Sequence, residues 1–201
     1  MSVGDDVRWL AEVPLGELLE RFAARTAAPG GGSGAATACA LAAALVEMAA
    51  AFDLVPQSAA TAQRAAALRS RALELGELDL RAYAPVLEAF ALAADDPERP
   101  HRIIAARSAA AEPPLAIACA AAEVATLGAE LARHGNPHLT GDATTAVLIA
   151  EAACRAAVEL VEANLDDGDD PRSREAWDWA RRAAVARTQA LSAVVPSGGP
   201  V

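Results

Sequence analysis

The chain has 201 residues, 54% of them apolar, 3% aromatic and 22% charged; 56 are alanine, and all 17 basic residues are arginine. Strand formers are too scarce for an all-β fold, and alanine at this level favours helix throughout. A net charge of −10 argues against a nucleic-acid groove, which needs a basic stripe, while so apolar a chain excludes disorder.

The length predicts one domain over residues 1–195, with a flexible tail at 196–201. The acidic start, Met1-Ser2-Val3-Gly4-Asp5-Asp6, lacks the build of a signal peptide. Pro14 opens a short helix whose Leu15, Leu18, Leu19 and Phe22 fall at i, i+3, i+4 and i+7. It stops before Pro29-Gly30-Gly31-Gly32-Ser33-Gly34. A second helix then carries Leu41, Leu45, Met48 and Phe52 on one face and alanine over most of the rest, which predicts a place in the middle of a bundle.

Pro56 breaks the chain, and Ser58 is positioned to cap a long helix towards Ala94, with Leu68, Leu75, Leu78, Ala82, Val86 and Ala89 as its seam. Pro85 should kink or divide it. A shorter helix over 100–111 follows, and Pro113-Pro114 begins another that reaches Arg133. The turn from His134 to Gly141 precedes a helix over 142–165. The acidic run Asp166-Asp167-Gly168-Asp169-Asp170-Pro171 leads into a last helix, capped by Ser173, with Trp177, Ala184 and Leu191 on one face. The expected architecture is an all-α, single-domain bundle of six to seven helices.

The apolar stretches 35–52 and 115–131 carry Glu47, Glu123 and Glu130 and fall short of a span of roughly 20 residues, so no membrane is expected. Cys39, Cys119 and Cys154 lie far apart without zinc spacing, which reads as three small buried side chains in a reducing compartment, and the chain is placed in the cytoplasm. His134 and His138 flank a proline and lack further ligands at suitable spacing, so no metal site is expected.

Two loops carry chemistry. Glycines at 30, 31 and 32 allow main-chain N–H groups to converge at a helix start, and Ser33 can cap it or donate to a ligand. This makes either an anion or carbonyl site or a plain helix–helix turn. In Gly135-Asn136-Pro137-His138-Leu139-Thr140-Gly141-Asp142, Asp142 is either the N-cap of the next helix or a carboxylate available for proton transfer, with Asn136 beside it at a pocket edge. His138, close in sequence, is a candidate proton relay.

The Pro-Gly-Gly-Gly-Ser-Gly-Ala-Ala turn resembles the cyclodeaminase/cyclohydrolase family, as do Asp79 with Tyr83, Glu112-Pro113-Pro114-Leu115, the Gly-Asn…Asp-Ala loop and Asn164-Leu165. The likeness runs in order from about residue 15 to 165. It departs after Phe52, where Asp53-Leu54-Val55-Pro56-Gln57-Ser58 replaces an expected Thr-x-Gly and lysines. The resemblance implies a helical homodimer with a tetrahydrofolate derivative as substrate and no metal, its site near the subunit interface and lined by both loops. It implies conversion of 5-formimidoyltetrahydrofolate to 5,10-methenyltetrahydrofolate with release of ammonia. The alternatives are a 5,10-methenyltetrahydrofolate cyclohydrolase and a non-catalytic helical dimer binding another ligand. On this resemblance Asp142 is the first choice for proton transfer and Asp79 the second. Asn136 orients the substrate, while Gly30, Gly31, Gly32 and Ser33 hold the pterin or a carboxylate.

Overall fold

The structure is a computed structural model that describes residues 10–53, 56–165 and 169–194. The expectations for the N-terminal residues, part of the acidic turn and the tail lie outside these. The described residues form eight α-helices and two short 3-10 turns: α1 (Leu15–Ala23), α2 (Gly31–Ala51), α3 (Pro56–Ala82), α4 (Ala84–Ala91), α5 (Arg99–Ala110), α6 (Glu112–His134), α7 (Thr140–Asn164) and α8 (Pro171–Val194). No strand occurs among them. The all-α bundle is as the composition requires, and Pro85 divides the long helix at Tyr83.

Helices α6 and α7 pack side by side in the centre, α2 lies across both, α3 flanks α2, and α8 covers α6 and α7. The interior is built mostly of alanine, with Val46, Leu75, Ile117, Val124, Val147, Val158 and Val161 as its larger side chains. Small side chains let helix axes approach closely. At Gly128 an added Cβ would come within 2.8 Å of Val147 and 3.3 Å of Val46, so three helices meet there with no room for a methyl group. Burial pushes the Cys39 and Cys154 thiols up to about 12, which leaves them as inert filling.

Several faces differ from the periodicity reading. In α2 the buried face is Ala36, Cys39, Ala42, Ala43, Val46 and Ala50, while Leu41 and Phe52 stay 54% and 63% exposed. The helix is central, yet Leu41 and Phe52 point away from the core, and Leu45 packs against it only in part. Leu15 and Leu19 of α1 and Leu191 of α8 are exposed as well, and only Leu18 of the α1 stripe is buried. Leu78 leaves the expected α3 seam, whereas Leu68, Leu75, Val86 and Ala89 keep it.

Three caps also move. The helix after Pro56 starts before Ser58, whose hydroxyl donates to Asp53 at 2.8 Å. Asp142 sits in the first turn of α7, because Thr140 already begins the helix. Asp170, not Ser173, accepts the Arg172 N–H at 2.9 Å at the start of α8, and the Ser173 hydroxyl donates to Glu162 instead.

By length and composition, Gly31–Ala51 and Arg99–His134 are apolar enough to cross a membrane, which corrects the shorter estimate above; half or more of each is buried inside the bundle. Their hydropathy serves the core.

Candidate active site

The glycine turn delivers the chain into α2, whose first intrahelical bond is Gly34 N–H to the Gly30 carbonyl at 3.0 Å. The N–H groups before it have no partner within the helix by geometry, and they carry the positive end of the helix dipole. Asp79, in the last turns of α3, places its carboxylate on this end. The approach is so close that a Cβ on Gly32 would overlap the carboxylate, so any larger residue there must displace the Asp79 side chain.

Ser33 is fully buried. Its hydroxyl donates to the Gly76 carbonyl at 3.0 Å, across the α2–α3 contact, and it does not line the cavity. That corrects its expected role as a group touching the ligand. Burial raises the Asp79 carboxyl above its ordinary range, while hydrogen bonding from Ser33, through its N–H and hydroxyl, pulls it back down. A half-buried carboxylate that holds a proton more readily than usual is a candidate for proton transfer.

A cavity of 380 Å³ opens at this point. Gly30–Gly32 and Asp79 form one side, Tyr83, Val86 and Phe90 of the α3–α4 break form another, and Leu160, Ala163 and Asn164 of α7 close it with Arg107 of α5. The Asn164 amide donates to the Leu160 carbonyl at 2.9 Å, and the Arg107 guanidinium to the Ala163 carbonyl at 2.5 Å, which fastens both to the last turn of α7. Mostly apolar walls with a few convergent polar groups are the usual make-up of a small-molecule site.

The second loop is elsewhere. Asn136 accepts the His138 N–H at 3.0 Å, capping the 3-10 turn Pro137–Leu139, and donates to the Phe52 carbonyl at the far end of α2. The 21 residues of α2 separate this end from the glycine turn by about 30 Å. Helix α7 gives the same answer independently, with Asp142 in its first turn and Asn164 at its last residue. His138 and Asp142 are both exposed. Within one chain, therefore, Gly30, Gly31, Gly32 and Asp79 come together, and Asn136, His138 and Asp142 do not join them. Among the described residues no cluster of three or more His, Cys, Asp or Glu side chains is placed to hold a metal ion.

Sequence reasoning missed Arg107. One arginine in an amphipathic helix among 17 carries no signal of its own. Only the fold brings it to the cavity.

An all-α bundle with a carboxylate docked on a glycine-opened helix start, at the mouth of a small-molecule cavity, is the arrangement of a helical small-molecule-binding protein. Residues 14–182 match the family model described as formiminotransferase-cyclodeaminase, and the chain belongs to that family. The crystal structure of formiminotetrahydrofolate cyclodeaminase from Thermotoga maritima superposes with a TM-score of 0.83 at 20% identity, over 92% of this chain and 96% of that one. That likeness bears on the fold. No curated protein matches the chain.

Proposed function

We propose that the chain is a folate one-carbon enzyme that cyclises 5-formimidoyltetrahydrofolate to 5,10-methenyltetrahydrofolate and releases ammonia. The observation that carries this reading is the Asp79 carboxylate, held at the start of α2 inside a cavity of a chain of this family. In the reaction N10 attacks the carbon of the protonated formimidoyl group and loses its proton, and the former imino nitrogen, already carrying two hydrogens, takes up one proton and leaves as ammonia as its bond to that carbon breaks. Asp79 takes the N10 proton and returns one to the departing nitrogen, and its ionised form faces the methenyl cation that results. A carboxyl raised by burial and restrained by Ser33 is poised to do both. Holding N10 against the carbon supplies the proximity term.

The assay is direct. Incubation with 5-formimidoyltetrahydrofolate should raise methenyl absorbance and free ammonia together. Consumption of 5,10-methenyltetrahydrofolate instead would make the enzyme a cyclohydrolase, and inertness towards both, without folate binding, would overturn the reading. A cytoplasmic enzyme is the setting in which three unpaired thiols and a soluble folate substrate fit.

The working unit in this reading is a homodimer. Exposed Leu41 and Phe52, with half-buried Leu45 and Met48 between them, run along the second half of α2 towards the Asn136 loop. A two-fold axis near Leu41, midway along the helix, would pair α2 with its copy antiparallel and set each Asp142 loop beside the partner's cavity. This arrangement accounts for a second loop that lies about 30 Å from the first within one chain. Asp142 then adds negative charge near the cation, and Asn136, whose amide is engaged within its own chain, shapes the loop. Two inactive variants, Asp79→Asn and Asp142→Asn, should regain activity when mixed and reassociated, since one of the two sites in each hybrid is intact. Leu41→Arg should give a monomer by light scattering. Full activity of that monomer would refute the shared site.

A further inference from the structure

We propose that Tyr83 and Asp79 form a cation slot, in which the tyrosine ring selects a positively charged one-carbon group over a neutral one of the same shape. The inference rests on the folate reading above and goes beyond it by giving Tyr83 a role in specificity.

Both side chains belong to one turn of helix. Tyr83 keeps helical dihedrals, φ −80° and ψ −22°, and its N–H bonds to the Asp79 carbonyl at 3.3 Å. Residues four apart share a helix face, and a long side chain leans back over the turn before it, which brings the ring towards the carboxylate. Both groups line the same cavity, and Tyr83 is the one tyrosine of the chain.

Neither group is matched by a cation. The Asp79 carboxylate takes its hydrogen bonds from Ser33, and no arginine acts on its proton affinity. Trp177 and Trp179 each hold a guanidinium over the ring, Arg155 at 4.4 Å and Arg182 at 4.5 Å. Among the described residues no guanidinium stands over Tyr83 in this way, and the residue is 40% exposed. A carboxylate and an electron-rich ring face that meet between the apolar walls of Leu80, Val86 and Phe90 attract positive charge. The start of α2 opposes this with a partial charge of about half a unit, against a full unit on the carboxylate, so attraction wins.

The proposed reaction keeps positive charge on the one-carbon unit at both ends, since a protonated formimidoyl group enters and a methenyl cation leaves. Formyl and methylene folates have nearly the same shape and no charge at that place. A slot that reads charge therefore separates ligands that apolar walls alone would accept equally.

The test uses two ligands that differ mainly in that charge. 5,10-Methenyltetrahydrofolate carries the cation, and 5,10-methylenetetrahydrofolate has the same fused rings without it. Equilibrium binding of each to the full-length protein, in ammonia-free buffer, gives a ratio of dissociation constants. Wild type should favour the methenyl form. Tyr83→Leu should reduce that preference about 3- to 30-fold, and Tyr83→Phe, which keeps the ring, should hold it within about twofold. An equal loss for both ligands in Tyr83→Leu would make Tyr83 a packing residue, and a Tyr83→Phe variant as impaired as Tyr83→Leu would move the role to the hydroxyl. Either result overturns the slot. A Tyr83-dependent preference in a protein that does not turn over 5-formimidoyltetrahydrofolate keeps the slot and sinks the reaction; turnover with no such preference does the reverse.

Discussion

At the N-terminal end of α2 a carboxylate, a guanidinium and several main-chain N–H groups converge on one cavity; at its C-terminal end Asn136 bonds to main-chain atoms, and His138 and Asp142 face outward. Both ends are glycine-bearing turns beside a helix start, and by sequence they look equally suited to chemistry. The difference lies in what surrounds the acid. Asp79 is half-buried against a helix N-terminus and shifted from its ordinary proton affinity. Asp142 is on the surface, and in the dimer reading it acts only in company with a partner's cavity. A functional carboxylate is marked by its environment more than by the motif that contains it.

The widest gap between the two ends should appear with Asp79→Asn. Loss of a general acid–base group at the reacting atoms should lower kcat by about 10²- to 10⁴-fold. The same variant should be more stable than wild type at neutral pH, since it removes a charge that burial disfavours. The sign follows from the raised carboxyl. The folded chain holds this proton more tightly than the unfolded chain does. The associated stability is complete below the ordinary aspartate value, about 3.9, and is lost as pH rises through the raised one. Denaturation of both proteins across this range should show the gap closing in acid. A variant that loses activity and stability together at every pH would instead make Asp79 a structural residue.

A glycine from each end gives a smaller effect. Gly32→Ala drives a methyl group into the Asp79 carboxylate, and relieving such a clash should cost about 1–3 kcal/mol. Displacing the carboxylate by about 1 Å should also lower kcat by about 10- to 100-fold. Gly141→Ala, in the first turn of α7, meets nothing within 4 Å and should stabilise by about 0.4–1 kcal/mol through the unfolded chain. Melting curves and kcat for the pair check both. Equal tolerance at the two positions would mean that the α2–α3 approach is looser than the structure has it.

Helix extents were legible because proline and glycine punctuate the chain: Pro14, Pro56, Pro85, Pro113 and Gly135 each lie at or beside a helix boundary. Helix faces were less so. In α2 the core side is mostly alanine, with Leu41 outside and Leu45 only partly buried, because closely approaching axes leave space for methyl groups and little else. Hydrophobic periodicity ranks Leu41 above Ala42 as a core residue, and the packing reverses that order. At the candidate site, Gly30–Gly32 were legible from the turn itself, and Asp79 only through the family resemblance, which ranked it behind Asp142. Two things were not: the separation of the Asn136 loop, which depends on the antiparallel run of α2 and α7, and Arg107, which reaches the cavity only through the α4–α5 hairpin.

The finest distinction concerns Ser33, which the sequence offers as a ligand contact and the structure buries beneath Asp79. Ser33→Ala removes a buried hydroxyl whose one proton is shared between the Gly76 carbonyl and the Asp79 carboxylate, and should lower stability by about 1 kcal/mol. Its effect on catalysis distinguishes a positioning residue from a binding one. Hydrogen bonding from Ser33 lowers the Asp79 carboxyl, so losing the hydroxyl should raise it further. Because the ionised carboxylate must accept the N10 proton, the acid limb of the kcat profile should move to higher pH while KM stays near wild type. Ser33→Thr, which keeps a hydroxyl, should restore the limb wherever its methyl group is accommodated. A higher KM with an unmoved limb would return Ser33 to the ligand, and the two ends of α2 would then differ less than their carboxylates suggest.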